Sequence, residues 1–413
     1  MRDIIVIGGG ASGMVAAIMA ARKGARVKVL ERMQRVGRKL LATGNGRCNI
    51  SNRRLDASHY HGGRPEFVSN LFKVFGLEQT LAFFGDLGVC VQEEENGKLF
   101  PASQQASSVL DVLRYEMAQL GVEELCDAVV HSIERGRSGL RCVCGDGRFF
   151  EAESVIVCAG GKSSPNLGSN GGGFKLAEAL GHTIVEPFPS LVPVRLDAPY
   201  LNQIAGVGLN GRAEVWVDGK LECEETGDLL LAKYGISGTA ILQLSRAVSE
   251  CTLRNRDTQL RIDLFPSLSK AALAGLIHDR IEKMPGKTTD FSFVGLIHKR
   301  LIPILLKTAG IENAQRPCGD LTPADVDRLV AAMKAWTLPC CGTQSWMFSQ
   351  VTAGGVDVSE VNPETLESKI APGVYFAGEV LDIDGDSGGY NLQWAWTSGA
   401  VAGSCAAAAM REQ

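Results

Sequence analysis

The chain has 413 residues, 45% of them hydrophobic and 21% charged, with a formal net charge of −4 and a pI near 6.0. That length holds two or three domains around a large core, and the composition is that of an ordinary globular protein. The charge gives no footprint for nucleic acid or an anionic membrane, and no apolar run is long enough to span a bilayer.

The chain opens on an apolar run, Ile4 to Ile7, that breaks into glycines and resumes as a helix of small residues from Met14 to Ala21. Glycines stop the run too soon for a signal peptide, so the expected compartment is cytoplasmic. In Gly8-Gly9-Gly10-Ala11-Ser12-Gly13, the residues Gly8, Gly10 and Gly13 fill the three positions of the G-x-G-x-x-G fingerprint. The first allows the tight turn, the second admits a pyrophosphate, and the third lets helix and strand pack closely. The N-terminus of the helix then offers free N–H groups and partial positive charge to phosphates. A second strand, Arg26–Leu30, ends in Glu31, where a carboxylate binds the ribose hydroxyls of an adenosine and repels a 2′-phosphate. FAD or NAD is therefore expected at this site rather than NADP.

Glu31 leads into a basic, glycine-rich segment. It contains Arg32, Arg38 and Lys39, then Thr43-Gly44-Asn45-Gly46-Arg47-Cys48-Asn49, a pattern suited to wrapping a large anionic cofactor. Residues 66–88 read as two helices split at Gly76, and apolar spacing predicts a third over 104–120. The period then becomes that of β-structure over 124–133, 140–144 and 149–157, ending in Cys158-Ala159-Gly160-Gly161, where Ala159 and Gly160 can run close beside a dinucleotide. A glycine- and serine-rich loop at 162–174 precedes a short helix that ends near Leu180.

From Pro187 the composition shifts to proline-punctuated extended runs, with alternating stretches at 213–217 and 260–264 and helical patterns at 268–283, 296–307 and 322–335. Residues 190–345 read as an inserted substrate or cap domain, part β-barrel and part helical, over the cofactor. Residues 1–189 and 346–413 then form one discontinuous FAD-binding domain. Strand signals return at 351–356 and 374–380, and an Asp- and Gly-rich stretch leads into a last helix from Tyr390. No second G-x-G-x-x-G appears, so a separate nicotinamide domain is not expected. One dinucleotide contacted from both ends of the chain, which is FAD, explains the layout.

Twelve cysteines are scattered without a C-x-x-C pair and read as free thiols, the adjacent Cys340 and Cys341 included. His59 and His61 lack the neighbours that would complete a metal site. Asp382, Asp384 and Asp386 lack the terminal Glu of a calcium loop. No metal is expected.

Taken together, the segments Gly37 to Asn49, Gly160 to Pro165, Thr352 to Val356, Phe376 to Asp382 and Gly388 to Ala395 resemble the BaiN-like NAD(P)/FAD-dependent oxidoreductase family, the bile-acid-inducible flavoprotein type. The resemblance covers nearly the whole chain. It implies a Rossmann-like, two-dinucleotide-type FAD-binding domain with an inserted β-barrel and a small helical domain, an α/β fold. It also implies that Ser12, Gly13, Glu31, Arg32, Arg38 and Lys39 hold the ADP half of FAD, with the backbone of Val129 at the adenine. Glu379 would meet the ribityl or pyrophosphate portion. Gly389, Tyr390, Asn391 and Leu392 would turn the start of the last helix toward the flavin N1/O2 edge. Two departures stand out: Ala232-Lys233 and Thr239 replace a common Thr-His and Pro, and Gly172 replaces a common Asp.

The implied activity is reduction of conjugated C=C bonds in an apolar enone, with a 3-oxo-Δ4 or Δ4,6 steroid or bile acid intermediate as the leading substrate. NADH or NADPH would be the transient reductant. Such chemistry needs a carbonyl donor and an acid for the α-carbon. Tyr234 is the candidate, with Lys233 beside it expected to lower its pKa; packing in the barrel is its competing role. Arg47 and Cys48 either border the flavin ring or serve the loop alone. The rival functions are an FAD-dependent oxidase or monooxygenase, a flavin redox sensor, and an RNA-modifying flavoprotein, the last disfavoured by the acidic balance.

Overall fold

A computed structural model describes residues 3–136 and 139–408. The chain divides into two compact units, Met1–Pro189 with Ser349–Gln413, and Ser190–Phe348.

The first unit is built on a five-stranded parallel sheet. Its order is Val374–Phe376, Ser154–Val157, Asp3–Ile7, Arg26–Leu30 and Glu123–Leu125. Ile4, Ile5 and Val6 in the central strand are wholly buried, as a strand covered on both faces requires. The helices Ala11–Arg22 and Tyr390–Ala408 belong to the same core. These two helices approach backbone to backbone. A Cβ on Gly399 would collide with the Ser12 carbonyl oxygen, and one on Gly403 with that of Ala16. The small residues of the last helix thus have a packing reason, and the two ends of the chain close on each other.

The expected β-run over 124–133 is broken in two. Glu123–Leu125 joins the edge of the parallel sheet, and Val130–Arg135 begins an antiparallel three-stranded sheet with Leu140–Cys144 and Phe149–Ala152. Asp127, at φ +52, adopts the left-handed conformation that ends a strand. Gly76 separates the helices Pro65–Val74 and Leu77–Asp86.

The second unit is a closed six-stranded barrel, in the order Val194–Leu196, Gly235–Ser237, Lys220–Ala232, Gly208–Val217, Thr258–Asp263 and Trp336–Thr343. Its own apolar core includes Val215, Leu231, Ile236, Leu260 and Ile262. The helices Lys270–Lys283, Ile302–Thr308 and Pro323–Lys334 accompany it, the first capped by Ser269 and the last by Thr322. The helix Thr239–Leu253 lies outside the helical patterns expected at 268–283, 296–307 and 322–335. Its buried Ile241, Leu244, Val248 and Cys251 recur every three or four residues, which is the helical period. Among the described residues, no helix is long and apolar enough to cross a membrane.

The helix contact gives a stability test. Gly399→Val forces a side chain into the Ser12 backbone and should cost about 1–3 kcal/mol in urea unfolding. Gly275→Ala, in the helix Lys270–Lys283 where a Cβ meets nothing within 4 Å, should instead stabilise by ~0.4–1 kcal/mol.

Candidate cofactor site

The site is built from the turn between the first strand and the first helix. Gly8 lies at φ +102, and a Cβ there would stand 2.5 Å from the Cys158 carbonyl oxygen. A Cβ on Gly13 would collide with the Gly8 carbonyl, whereas one on Gly10 meets nothing within 4 Å. The three glycines therefore have three separate reasons. The outer two are required by the protein itself, and the middle one faces open space. No side chain caps the helix at Gly10, so its first N–H groups point toward that space without a side-chain acceptor.

Glu31 is buried at the end of the second strand. Its Oε2 accepts from the Gly9 N–H and its Oε1 from the Met33 N–H, both at 2.8 Å. Burial pushes its pKa up, while the Met33 and Gly9 N–H groups and the Arg32 charge pull it down. One backbone donor on each oxygen aims the carboxylate and leaves lone pairs for further donors. The following segment folds back on the turn: the Gly37 N–H donates to the Gly9 carbonyl at 2.8 Å, and a short helix, Arg38–Ala42, starts there. Arg32 Nε and Asn49 Oδ1 are two of six side-chain atoms that are buried without a hydrogen-bond partner among the described residues. Buried polar atoms are normally paired, so both fit contacts to a bound polar group.

Lys39 and Glu379, read from distant motifs, meet each other. Lys39 Nζ lies 2.7 Å from Glu379 Oε2 and 2.9 Å from Ser163 Oγ. Ser163 Oγ donates to Glu379 Oε1 at 2.7 Å, and the Thr352 N–H donates to the same oxygen at 3.0 Å. The Thr352 hydroxyl in turn accepts from the Lys162 and Ser163 N–H groups at 2.8 and 3.0 Å. Ser163 and Thr352 were missed as site-building residues, although both lie in segments that carry the resemblance. Gly160 has φ +68, and Ala159 is half-buried against the core. Ser12 lies below the Ala377-Gly378 turn: a Cβ on Gly378 would stand 2.5 Å from the Ser12 Oγ.

In the Thr43–Gly46 turn, the Thr43 hydroxyl donates to the Leu40 carbonyl at 2.7 Å, and Gly44 and Asn45 are both at φ +56. Arg47 pairs with Glu94 and Gln104 while its guanidinium lies 4.1 Å over the Phe100 ring. Cys48 is wholly buried. At the last helix, the Asn391 amide is taken up locally, donating to the Gly385 and Asp386 carbonyls and accepting from the Gly385 N–H. Gly389 has φ +104, and Leu392 is half-buried against the core. Val129 is not in a strand as expected but in the connection after Asp127, with its carbonyl accepting from Gly145 N–H at 3.0 Å.

Tyr234 lies in the other unit, in the turn between Lys220–Ala232 and Gly235–Ser237. Its pKa is raised, and burial is the cause, so the expected lowering by Lys233 is overturned. The phenol stays protonated at neutral pH, the form that donates. Among the described residues no cluster of His, Cys, Asp and Glu could hold a metal.

Residues 2–405 match the HI0933-like protein Rossmann domain family. The chain is 39% identical over 409 residues to the 3-dehydro-bile acid delta(4,6)-reductase of Clostridium scindens, covering 98% of this chain and 99% of that one. It is 29% identical over 399 residues to the ribosomal RNA dihydrouridine synthase of Haemophilus influenzae, covering 95% and 96%. Among solved structures, the 3-ketosteroid delta1-dehydrogenase of Sterolibacterium denitrificans aligns with a TM-score of 0.51 at 14% identity over 99% of both chains. That last likeness is one of fold.

All twelve cysteines are free. Burial pushes the thiols of Cys48, Cys142 and Cys158 up to about 12, whereas Cys90 and Cys341 are exposed. Alkylation at pH 8 followed by mass spectrometry should therefore label Cys90 and Cys341 in the native protein and reach the other three only after denaturation.

Proposed function

This chain belongs to the HI0933-like Rossmann family, and on that premise we propose that it binds FAD and reduces a conjugated C=C bond of an apolar enone. A 3-oxo-Δ4 or Δ4,6 steroid or bile acid intermediate is the substrate, with NADH or NADPH as electron source. The observation that carries the reading is the 39% identity, over 98% of this chain, to a bile acid delta(4,6)-reductase, combined with a glycine turn whose middle position is open. FAD, when bound, supplies a carrier that accepts and donates a hydride. The balance of the reaction is one hydride and one proton added across the double bond, with NAD(P)H becoming NAD(P)+.

The chain's own residues bind and orient. The uncapped helix N-terminus at Gly10-Ala11 favours the pyrophosphate charge, and Gly8 and Gly13 hold the turn that presents it. Glu31, aimed by Gly9 and Met33, accepts from the ribose hydroxyls. Arg32 Nε and Asn49 Oδ1 find the partners that the protein does not give them. Arg38, Thr43, Gly44, Ala159, Gly160 and the backbone of Val129 border the cofactor, and the Lys39–Glu379 pair fixes the loops beside it. Tyr234, protonated at neutral pH, polarises the carbonyl or delivers the proton to the α-carbon.

A second reading is favoured by the relative named as a ribosomal RNA dihydrouridine synthase. The uracil C5=C6 bond is itself conjugated to a carbonyl, so the same hydride-and-proton chemistry would serve. The net charge of −4 gives no overall attraction to RNA, and the lower identity to that relative, 29% against 39%, ranks this reading second.

An anaerobic absorbance titration decides between these. NADH or NADPH should bleach the bound flavin, and a 3-oxo-Δ4 steroid should restore it. Restoration by ribosomal RNA alone would favour the second reading, and restoration by oxygen alone would point to an oxidase. Tyr234→Phe should lower the rate of restoration by the enone about 10²–10⁴-fold while leaving the flavin spectrum unchanged.

A further inference from the structure

The start of the last helix is held by a polar cluster that joins Asp386, just before it, to two histidines from a distant part of the chain. The strand Ile383–Gly385 pairs antiparallel with Tyr60–Gly62, and the Asp386 N–H donates to the His59 carbonyl at 2.9 Å. The two oxygens of the Asp386 carboxylate each take an imidazole, His59 Nδ1 at 2.9 Å and His61 Nε2 at 2.8 Å. The His59 ring stacks on Tyr390, the first residue of the helix, with centroids 4.2 Å apart and planes at 21°. The Tyr390 carbonyl accepts from the buried Tyr60 hydroxyl at 2.8 Å. Between Asp386 and Tyr390 lie Gly388 and Gly389, at φ +128 and +104. A Cβ on Gly389 would stand 2.3 Å from the Ser51 carbonyl oxygen and 2.9 Å from Asn49 Oδ1, a buried atom without a partner.

Apolar packing alone would suffice to dock a helix end. Here one carboxylate is shared by two imidazoles immediately before a glycine pair, and an unpaired amide oxygen lies beside that pair. We propose that His59, Asp386 and His61 are positioning residues for the cofactor: they fix the Gly388-Gly389 turn and so direct the N-terminus of the last helix, with Asn49 Oδ1, at the flavin ring. The proposal rests on the FAD reading above. A helix N-terminus favours negative charge in front of it, and reduction adds negative charge to a flavin. A loosened turn therefore weakens the hold on the reduced cofactor more than on the oxidised one. Replacing the imidazoles while keeping Asp386 acts in the same direction, because the carboxylate then loses the two ring nitrogens that hold it in place.

The test uses the full chain and its H59Q/H61Q double variant. FAD binding to the apoprotein is followed by flavin fluorescence, and the midpoint potential of the bound flavin is measured against redox dyes. The double variant should hold the reduced cofactor about tenfold less well relative to the oxidised one, a fall of ~30 mV for a two-electron couple, with the apoprotein melting temperature nearly unchanged. H61Q alone keeps the His59–Asp386 pair and the Tyr390 stack and should give a smaller fall. If the double variant does not fold, H61Q carries the test, and an unchanged potential there overturns the proposal. Wild-type binding and potential in a folded double variant overturn it as well, with the FAD reading intact. A wild-type chain that binds no FAD overturns the FAD reading and this proposal with it.

Discussion

The Gly8 carbonyl oxygen occupies the space where a side chain at residue 13 would begin, and the rest of the first unit depends on that close approach. It sets the first helix hard against the strand–helix turn. The turn in turn places the Gly9 N–H where Glu31 can accept from it. The second strand is thereby tied to the first at its functional end, and the Gly37 N–H, bonded to the Gly9 carbonyl, brings the basic segment back over the same turn. A larger residue at position 13 would disturb all three connections at once.

The last helix meets the first under the same constraint. Gly399 and Gly403 let it lie on the Ser12 and Ala16 backbone, and Gly378 allows the preceding turn to sit over the Ser12 hydroxyl. The Lys39–Ser163–Glu379–Thr352 network then joins four stretches that are far apart in the chain. Lys39 and Glu379 are each about one-fifth exposed, at 24% and 21%, so solvent screens the pair and its worth is geometric more than energetic. The network fixes the loops that follow Val374–Phe376, Ser154–Val157 and Arg26–Leu30, the first, second and fourth strands in the order of the parallel sheet, where a ligand of an open α/β sheet binds.

Much of this was legible in the sequence for a physical reason: local constraints leave local signatures. The glycine spacing, the apolar strands and Glu31 at a strand end announce the Rossmann-like fold, and the small residues of the last helix announce close packing. What was not legible depends on distant partners. Nothing near Lys39 shows that its ammonium is taken up by Glu379, or that His59 and His61 share Asp386. The expected continuous strand through Val129 is broken at Asp127, whose left-handed backbone ends it, a conformation open to Asp and invisible to a hydrophobic pattern. The Tyr234 expectation assumed that a neighbour in sequence is a neighbour in charge. Burial decides that phenol's pKa instead, and burial is a property of the fold.

The central claim is that the first turn is shaped around a cofactor and not only around itself. Gly10 separates the two, since its backbone, at φ −81 and ψ −168, suits any residue and its missing side chain would touch no protein atom. The decisive measurement is FAD binding by Gly10→Val, beside the thermal stability of its apoprotein. The account predicts an apoprotein as stable as wild type that no longer retains FAD. A variant that binds FAD with wild-type affinity would contradict it.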